Sequence, residues 1–458
     1  MNWDDLVLPD GWKLTSAGEV AEVVGGGTPK TSIPGNFTDQ GGHPWITPSD
    51  LTGYMDKHIA QGRRNLTDQG LRGSSAKFMP AGTVLFSSRA PIGYVAIARN
   101  PVTTNQGFRS FVPSAAVDSE FLYYALQLLR PEAERLASGT TFAELSGTNA
   151  KKLRFPLPPI VTQRQIAVLL DTMTKSNRSA AAHLESARRV VGRFRQAVLA
   201  AACSGRLTAD WREANPPDVT AESLVAAIDA TRRNRLGRRY RAPTPPIVDD
   251  DTPDGWAWTT VGALVDVATG ATPLRKRSEY YGGSIPWITS GAVRSQLIVE
   301  ASEHITELAL KETNAKIFPP GTLVVAMYGE GQTRGRVAEL GIATATNQAL
   351  AALLFDDETA KLRDYLRIFF LENYERIRRL SFGGVQPNLS LGVIRDTPVP
   401  MPPYEEQLEI ARRVNQLTEL ADRLRTRIDA TSRRVDQSSQ AVLAKAFRGE
   451  LSNGRGGE

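Results

Sequence analysis

Cysteine is almost absent. The chain has 458 residues and a single cysteine, Cys203, so no internal disulfide can form and every cysteine-rich zinc site is excluded. Histidine is nearly as scarce, with four residues and no pair at metal-binding spacing, which argues against a structural or catalytic metal. No apolar run approaches the roughly 20 residues that span a bilayer. The opening stretch MNWDDLVLPDGW is acidic and mixed, unlike a secretory signal, so the expectation is a cytoplasmic protein with no membrane partner. Acidic charge is the scarcer sign: 49 Asp and Glu against 55 Lys and Arg leave a net +6, a balance that favours a polyanionic partner without specifying a fold.

Catalytic signatures are missing as well. There is no phosphate-binding loop of the Gly-x4-Gly-Lys-Ser/Thr type, no paired-histidine helix, and no glycine-rich cofactor turn after a strand. A methyltransferase that flips a base needs an Asn or Asp, two prolines and an aromatic residue to hold the amine and stack the ring. Met401-Pro402-Pro403-Tyr404 lacks the polar acceptor, and Asn215-Pro216-Pro217-Asp218 lacks the aromatic. Asp10 and Asp254 each sit in a Pro-Asp-Gly-Trp turn with no Glu-x-Lys after it, so a nuclease centre is not indicated. The chain reads as non-catalytic.

What the sequence does have is a long internal repeat. The tetrapeptide PDGW occurs at Pro9 and again at Pro253, 244 residues on, and the offset persists along the chain. Gly26, Thr28 and Pro29 meet Gly270, Thr272 and Pro273; "HPWIT" from His43 meets "IPWIT" from Ile285; "KFMPAGTVL" from Lys77 meets "KIFPPGTLV" from Lys316; "TTNQG" meets "ATNQA"; "PLPP" meets "PMPP". Such a period is far longer than that of a solenoid or propeller. It describes two copies of a two-part unit, and like copies pack about a pseudo-twofold axis because like surfaces meet.

The first part of each copy is dense in short β-like runs such as "TVLFSS" and "TLVVAM", each entered through a Pro-x-Gly turn, with helical patterns such as "SEFLYYALQLLR" between them. An α+β domain follows. The second part begins after Pro159 and Pro403, where proline and β-rich runs disappear for more than 40 residues. In the second copy, apolar or small residues recur in steps of four and three at Ile410, Val414, Leu417, Ala421, Leu424, Ile428, Thr431, Val435 and Val442, with Ser438 in register. The first copy keeps that pattern at Ile166, Leu170, Met173, Asn177, Ala180, Leu184, Ala187, Val191, Phe194 and Val198. This is a coiled-coil seam, and the polar Asn177 is suited to fixing its register. Helices of about 40 residues would run roughly 60 Å. Antiparallel pairing within the chain is the simplest closed arrangement; homodimeric coils or independent hairpins are the alternative. Between the copies, Arg232, Arg233, Arg235, Arg238, Arg239 and Arg241 crowd one acid-free window that could meet DNA phosphates, an acidic partner, or only solvent.

Two related heads suit two related targets, as a double helix presents them. Residues able to read base edges stand at matching places: Thr47, Ser49, Arg89, Asn105 and Gln106 in the first head, and Thr289, Arg294, Arg334, Asn347 and Gln348 in the second. For each, a hydrogen bond within a loop is the competing role. A duplicated protein-interaction adaptor that never touches DNA remains the second reading of the whole chain.

One family joins these motifs in this order. "GGGTPK" and "TGATPL", each followed by "PWIT"; the paired "TNQ"; "SFGGVQPNLS" with its weaker counterpart "SGTTFAELS"; and "PLPPIVTQRQI" and "PMPPYEEQLEI", leading into long helices that end near "SGRLTADWR" and "RGELS", resemble the specificity subunit of type I restriction-modification systems along essentially the whole chain. The resemblance implies two similar α/β target recognition domains (1–160 and 253–404) and two long antiparallel coiled-coil helices (161–207 and 405–451), with a basic, proline-rich linker (208–252) and a tail (452–458). It implies double-stranded DNA as ligand, each domain reading half of a bipartite, asymmetric site. It also implies two modification (methyltransferase) subunits and further restriction (translocase) subunits as partners, which would hold the S-adenosylmethionine, ATP and Mg, leaving this chain without a cofactor. The helix seam (Ile166, Leu170, Met173, Leu184, Val191; Ile410, Val414, Leu417, Leu424, Ile428, Val435) and the regions near Gln163 and Gln407 resemble the docking surface for the modification subunits. The first head departs from the pattern where Phe142-Ala143-Glu144 replaces Gln386-Pro387-Asn388, so no role of Gln386 carries across.

Overall fold

A computed structural model describes residues 3, 6–89, 91–139, 143–240, 242–248, 251–329, 332–379 and 389–451. It divides into two compact units, Met1–Ser186 with Ile428–Glu458, and Ala187–Arg427. Both boundaries fall inside the long helices, Ile160–Cys203 and Tyr404–Phe447. Each unit therefore combines one head, the start of one long helix and the end of the other.

The first head is built on a five-stranded mixed sheet, in the order Ala21–Gly25, Arg109–Pro113, Val84–Ser88, Ile92–Ala98, His58–Ile59. The second head repeats the order with Asp266–Thr269, Leu350–Leu354, Leu323–Ala326, Val337–Leu340, Leu297–Ile298. Each head adds a four-stranded sheet carrying the "PWIT" strand, His43–Ile46 or Tyr281–Ile288. The repeated Pro-x-Gly-Thr segments enter the central strands in the same way. Gly82 (φ 86°) and Gly321 (φ 83°) take the left-handed conformation, and the hydroxyls of Thr83 and Thr322 donate back to the carbonyls of Pro80 and Pro319 at 2.7 and 2.8 Å.

Each head's core runs on into the helix ends. In the first unit Phe86, Phe111, Phe121 and Phe155 pack with Ile166 and Leu170 at the start of one long helix and with Phe447 at the end of the other, the Phe121 and Phe447 rings lying 4.7 Å apart. In the second unit Tyr365, Phe369 and Phe370 pack with Val198, Ala202 and Cys203, and with Ile410 and Val414. Burial pushes the Cys203 thiol up, so it behaves as a small apolar side chain and not as a nucleophile.

The pairing is antiparallel. Asn177 donates to Ser439 at 2.8 Å within the first unit, and Arg195 reaches Asp422 within the second. The register partner of Asn177 is thus Ser439, next to the seam position Ser438. Four expected seam residues also lie open: Leu424 is 41% exposed and Phe194 36%, and Thr431 and Ser438 are exposed too. An α-helix drifts about 20° per heptad from a strict 3.5-residue repeat, so after Val191 the stripe passes through Arg195 and Val198. Ile166, Leu170, Ile410 and Val414 are buried because a head covers them too, whereas Met173, Leu184, Val191, Leu417, Ile428 and Val435 are only half-buried.

The Pro-Asp-Gly-Trp turns lie at these joints. Gly11 and Gly255 have φ of 78° and 81°, as a type II turn requires at its third residue, and the Trp12 and Trp256 amides close each turn onto the proline carbonyl at 3.0 Å. The Trp256 indole donates to Glu406 at 2.8 Å. Glu406 is 1% exposed and also accepts from Thr208 at 2.7 Å and Arg212 at 2.9 Å, so one buried carboxylate of the second long helix ties the turn to the segment that follows the first. Trp12 packs half-buried on the first core.

The arginine window is turned inward. Thr220 caps the helix Ala221–Leu236, whose Ala221, Leu224 and Ile228 enter the second core. Arg232 and Arg235, one turn apart, meet Asp266 at 2.8 and 2.9 Å, and Arg235 also approaches Asp356 at 3.6 Å. Arg233 pairs with Asp229 at 3.2 Å and lies over the Tyr240 ring, and Arg238 is also engaged. Arg241 and the side chain of Arg239 lie outside the described residues. Helical spacing thus brings Arg232, Arg233 and Arg235 onto the chain's own acids, one more role beside the DNA, acidic-partner and solvent readings left open by the sequence.

Two predictions follow from the joints and the linker. Glu406→Ala strands a guanidinium and an indole N–H and should cost about 3–5 kcal/mol, while Phe447→Ala should cost about 3–5 kcal/mol through a cavity. Hydrogen exchange should locate the first loss in Ala187–Arg427 and the second in the other unit; one shared loss would mean a single cooperative core. Replacing Arg232 and Arg235 by Gln should speed amide exchange in Ala221–Leu236 about tenfold, or ~1.4 kcal/mol, and leave the salt dependence of DNA binding alone. A flatter salt dependence would return the window to phosphate contact.

Candidate nucleic-acid interface

Three of the repeated motifs converge on one spot in each head. Gly26 lies so close to the end of the "TTNQ" segment that a methyl group there would stand 2.0 Å from the Asn105 carbonyl oxygen. At Gly270 the same test gives 1.8 Å to the Thr346 carbonyl oxygen, so only glycine fits at either place. The tryptophan of each "PWIT" is buried and holds this turn from behind. Trp45 donates to the Gly27 carbonyl at 3.0 Å and Trp287 to the Ala271 carbonyl at 3.1 Å. The Asn105 and Asn347 amides bond to the Ile46 and Ile288 carbonyls, both at 3.0 Å. In front, the Thr28 hydroxyl donates to Oε1 of Gln106, and the Thr272 hydroxyl to Oε1 of Gln348. Sequence patterns scattered over some 80 residues are thereby one construction, made twice.

The expected site residues divide between support and surface. Asn105 and Asn347 turn their Oδ1 inward to the amides of Gly107 and Ala349 at 2.9 and 3.1 Å. Thr47 bonds to Asp50 through its amide and its hydroxyl, at 2.8 and 2.7 Å, and starts the single turn Pro48–Leu51. Thr289 starts the matching turn Ser290–Arg294. These four shape loops, and Asn105, Asn347 and Thr47 have side-chain oxygens committed to hydrogen bonds within the chain.

Ser49, Gln106, Arg294 and Gln348 are exposed, although Ser49 shares a 2.8 Å hydrogen bond with Thr47. Arg89 is 36% exposed and faces Glu144 at 3.7 Å, and the same carboxylate takes Arg109 at 2.9 Å. The residue that breaks the repeat in the first head therefore partly neutralises Arg89. Arg334 is half-buried and engaged within the chain. Phe142 and Gln386 lie outside the described residues.

Residues not singled out by chemical type also belong to the spot. In the second head Thr269, Gly270, Ala271, Thr272, Asn314, Lys316 and Gln348 line an open groove of about 500 Å³. In the first head the Ser75–Ala76 backbone abuts Gly27, with the exposed Lys77 next in sequence. Their signal was the repetition itself, since Thr28 and Thr272, and Lys77 and Lys316, occupy matched places.

Gln163 and Gln407 are clamps, not contact residues. Gln163 is 1% exposed; it accepts from the Asp118 amide at 2.8 Å and donates to the carbonyls of Pro158 and Ala116 at 2.8 and 3.0 Å. Gln407, equally buried, donates to the Pro402 carbonyl at 2.9 Å. Each fastens the first turn of a long helix to the strand before it, which leaves neither glutamine available to a partner. Among the described residues no group of three or more His, Cys, Asp or Glu could hold a metal, and no helix is long and apolar enough to cross a membrane.

Comparison with known proteins agrees with this architecture. The family model for the type I restriction modification DNA specificity domain matches twice, over residues 9–186 and 253–431. The type I restriction enzyme MjaIX specificity subunit of Methanocaldococcus jannaschii is 30% identical over 335 residues, 72% of this chain and 69% of its own length. The EcoKI specificity subunit of Escherichia coli K12 is 24% identical over 97% of this chain and 90% of its own. Among solved structures, a chain from a study of assembly and conformational transition in a type I restriction-modification system superposes with a TM-score of 0.71, at 19% identity over 97% of this chain and all of that one. The HsdS subunit of Thermoanaerobacter tengcongensis gives 0.58, also at 19% identity, over 98% of this chain and 100% of its own. The structures share the fold, the family model matches both repeats, and the chain belongs to the family of type I restriction-modification DNA specificity subunits.

Proposed function

We propose that this chain is the non-catalytic, sequence-reading scaffold of a type I restriction-modification complex, at work on DNA in the cytoplasm. The observation that carries the proposal is the duplication: two heads of one design whose exposed loop residues differ, on helices that pair antiparallel. Each head reads one half of a bipartite, asymmetric site in duplex DNA, and the paired helices set the number of unread base pairs between the halves. S-adenosylmethionine, ATP and Mg belong to the partners: two modification subunits that methylate adenine, and restriction subunits that translocate and cut.

The modification subunits would dock on apolar positions that the helices leave open. Val190, Phe194, Leu420 and Leu424 are each more than a third exposed and offer such a surface. Gln163 and Gln407 contribute by fixing the helix starts.

Methylome sequencing of a host with and without the gene should reveal one bipartite adenine-methylation motif that disappears on deletion; an unchanged methylome would sink the proposal. Removing one heptad from both Ile166–Val198 and Ile410–Val442 shortens each helix by about 10 Å, equivalent to about three base pairs. The gap should change while both half-sites persist, and altered half-sites would show that the helices do not act as the spacer.

A further inference from the structure

The two heads share one exposed feature in residue type and hydrogen bond: a glutamine whose Oε1 accepts from a threonine hydroxyl, with an exposed lysine that lines the same groove in the second head and, in the first, follows the Ser75–Ala76 backbone abutting Gly27. In the first head these are Gln106, Thr28 and Lys77; in the second, Gln348, Thr272 and Lys316. Around them the heads diverge, and Ser49, Arg89 and Arg294, expected at matching places, do not match: Thr52 stands where the second head has Arg294, Ser49 where it has Gly291, and Arg89 where it has Tyr328. Given that the heads read different half-sites, an identical group cannot tell one half-site from the other. It must address something both halves contain, which is either the sugar-phosphate backbone or the adenine to be methylated.

The chemistry selects the backbone. A glutamine that reads adenine uses its amide as a fork, donating to N7 and accepting from N6. Here the threonine hydroxyl takes one of the two lone pairs of Oε1 and fixes the rotation of the amide, which restricts the fork without filling it. Nε2 is left with two protons and has no partner among the described residues. A free donor, which in the second head lines the same groove as the Lys316 ammonium, suits an anionic oxygen. The surrounding turn is also braced more firmly than a duplication alone would require, by the buried tryptophan indole behind it and by the glycine that admits no side chain. Such rigidity suits a contact that sets register on the duplex.

We infer that Gln106 with Lys77, and Gln348 with Lys316, are sequence-neutral grips on DNA backbone phosphate, and that discrimination between bases rests on the positions where the heads differ. This rests on the DNA-reading function proposed above. The grips are positioning residues: they fix where each head stands on the duplex, and the neighbouring residues then meet the bases.

The assembled complex, co-purified with its methyltransferase subunits, provides the test. Gln106→Glu with Gln348→Glu keeps an acceptor for each threonine hydroxyl while replacing the outward donor by a negative charge. It should weaken binding at least about tenfold, and equally for the methylated motif and for unrelated duplex. Lys77→Ala with Lys316→Ala should flatten the slope of log K against log salt by about 1.8, at about 0.9 per phosphate contact. In both double variants the methylated motif should be unchanged.

Relaxation of the motif at any single base, the adenine included, would overturn the inference and assign these glutamines to base reading. A lowered melting temperature with unaltered affinity would overturn it as well, reducing the pairs to loop staples. Failure of the unaltered complex to bind duplex DNA is a different result, since it would remove the DNA-reading function and this inference with it.

Discussion

Phe447 ends the second long helix inside the core of the head encoded at the opposite end of the sequence, stacked on Phe121. Val198 and Ala202 end the first long helix in the core of the second head. Everything else depends on this seating. A helix of 44 residues with one apolar stripe gains little from propensity and must bury that stripe against something. The pair bury each other only partly, because Met173, Leu184, Val191 and Ile428 stay half-buried and Leu424 open. Deep burial comes where a head closes over the helix, and the buried Glu406, Gln163 and Gln407 then fix the angle at which strand becomes helix.

Much of this was legible in the sequence, and for a physical reason. Duplication makes every motif its own control, so PDGW, "PWIT" and "TNQ" could be aligned without any second protein. Strands, helices and the antiparallel pair followed from period and punctuation. Side-chain roles did not. Whether Asn105 faces outward or satisfies the Gly107 amide depends on a loop geometry that composition does not carry. Arg89 looked available because Glu144, its partner, is 55 residues away along the chain. The arginine window stayed open among three readings for a related reason. Its neutralising acids, Asp266 and Asp356, lie in another part of the fold, and a charge count along the sequence sees only nearest neighbours.

The net positive charge is therefore a poor guide to where a polyanion would be met. Many of the arginines are spent on structure: Arg212 on Glu406, Arg413 on Asp210 and Glu409, Arg232 on Asp266. With Arg412 and Arg413 beside it, the Glu409 carboxyl is held down at about 2, which shows how closely these charges are matched at the joint. What remains for recognition is small, polar and local, mounted on turns that glycine and tryptophan hold rigid.

Gly205 lies against Pro253, and Gly449 lies against Pro9 in the same manner. The first contact joins the end of one repeat to the start of the next, and the second joins the end of the second repeat to the start of the first, so the two joints are built alike. Two copies of a half-length chain could complete the same pair of units, but identical copies would be bound by symmetry to a palindrome. Writing both halves into one molecule removes that obligation, and each head is then free to mutate toward its own words.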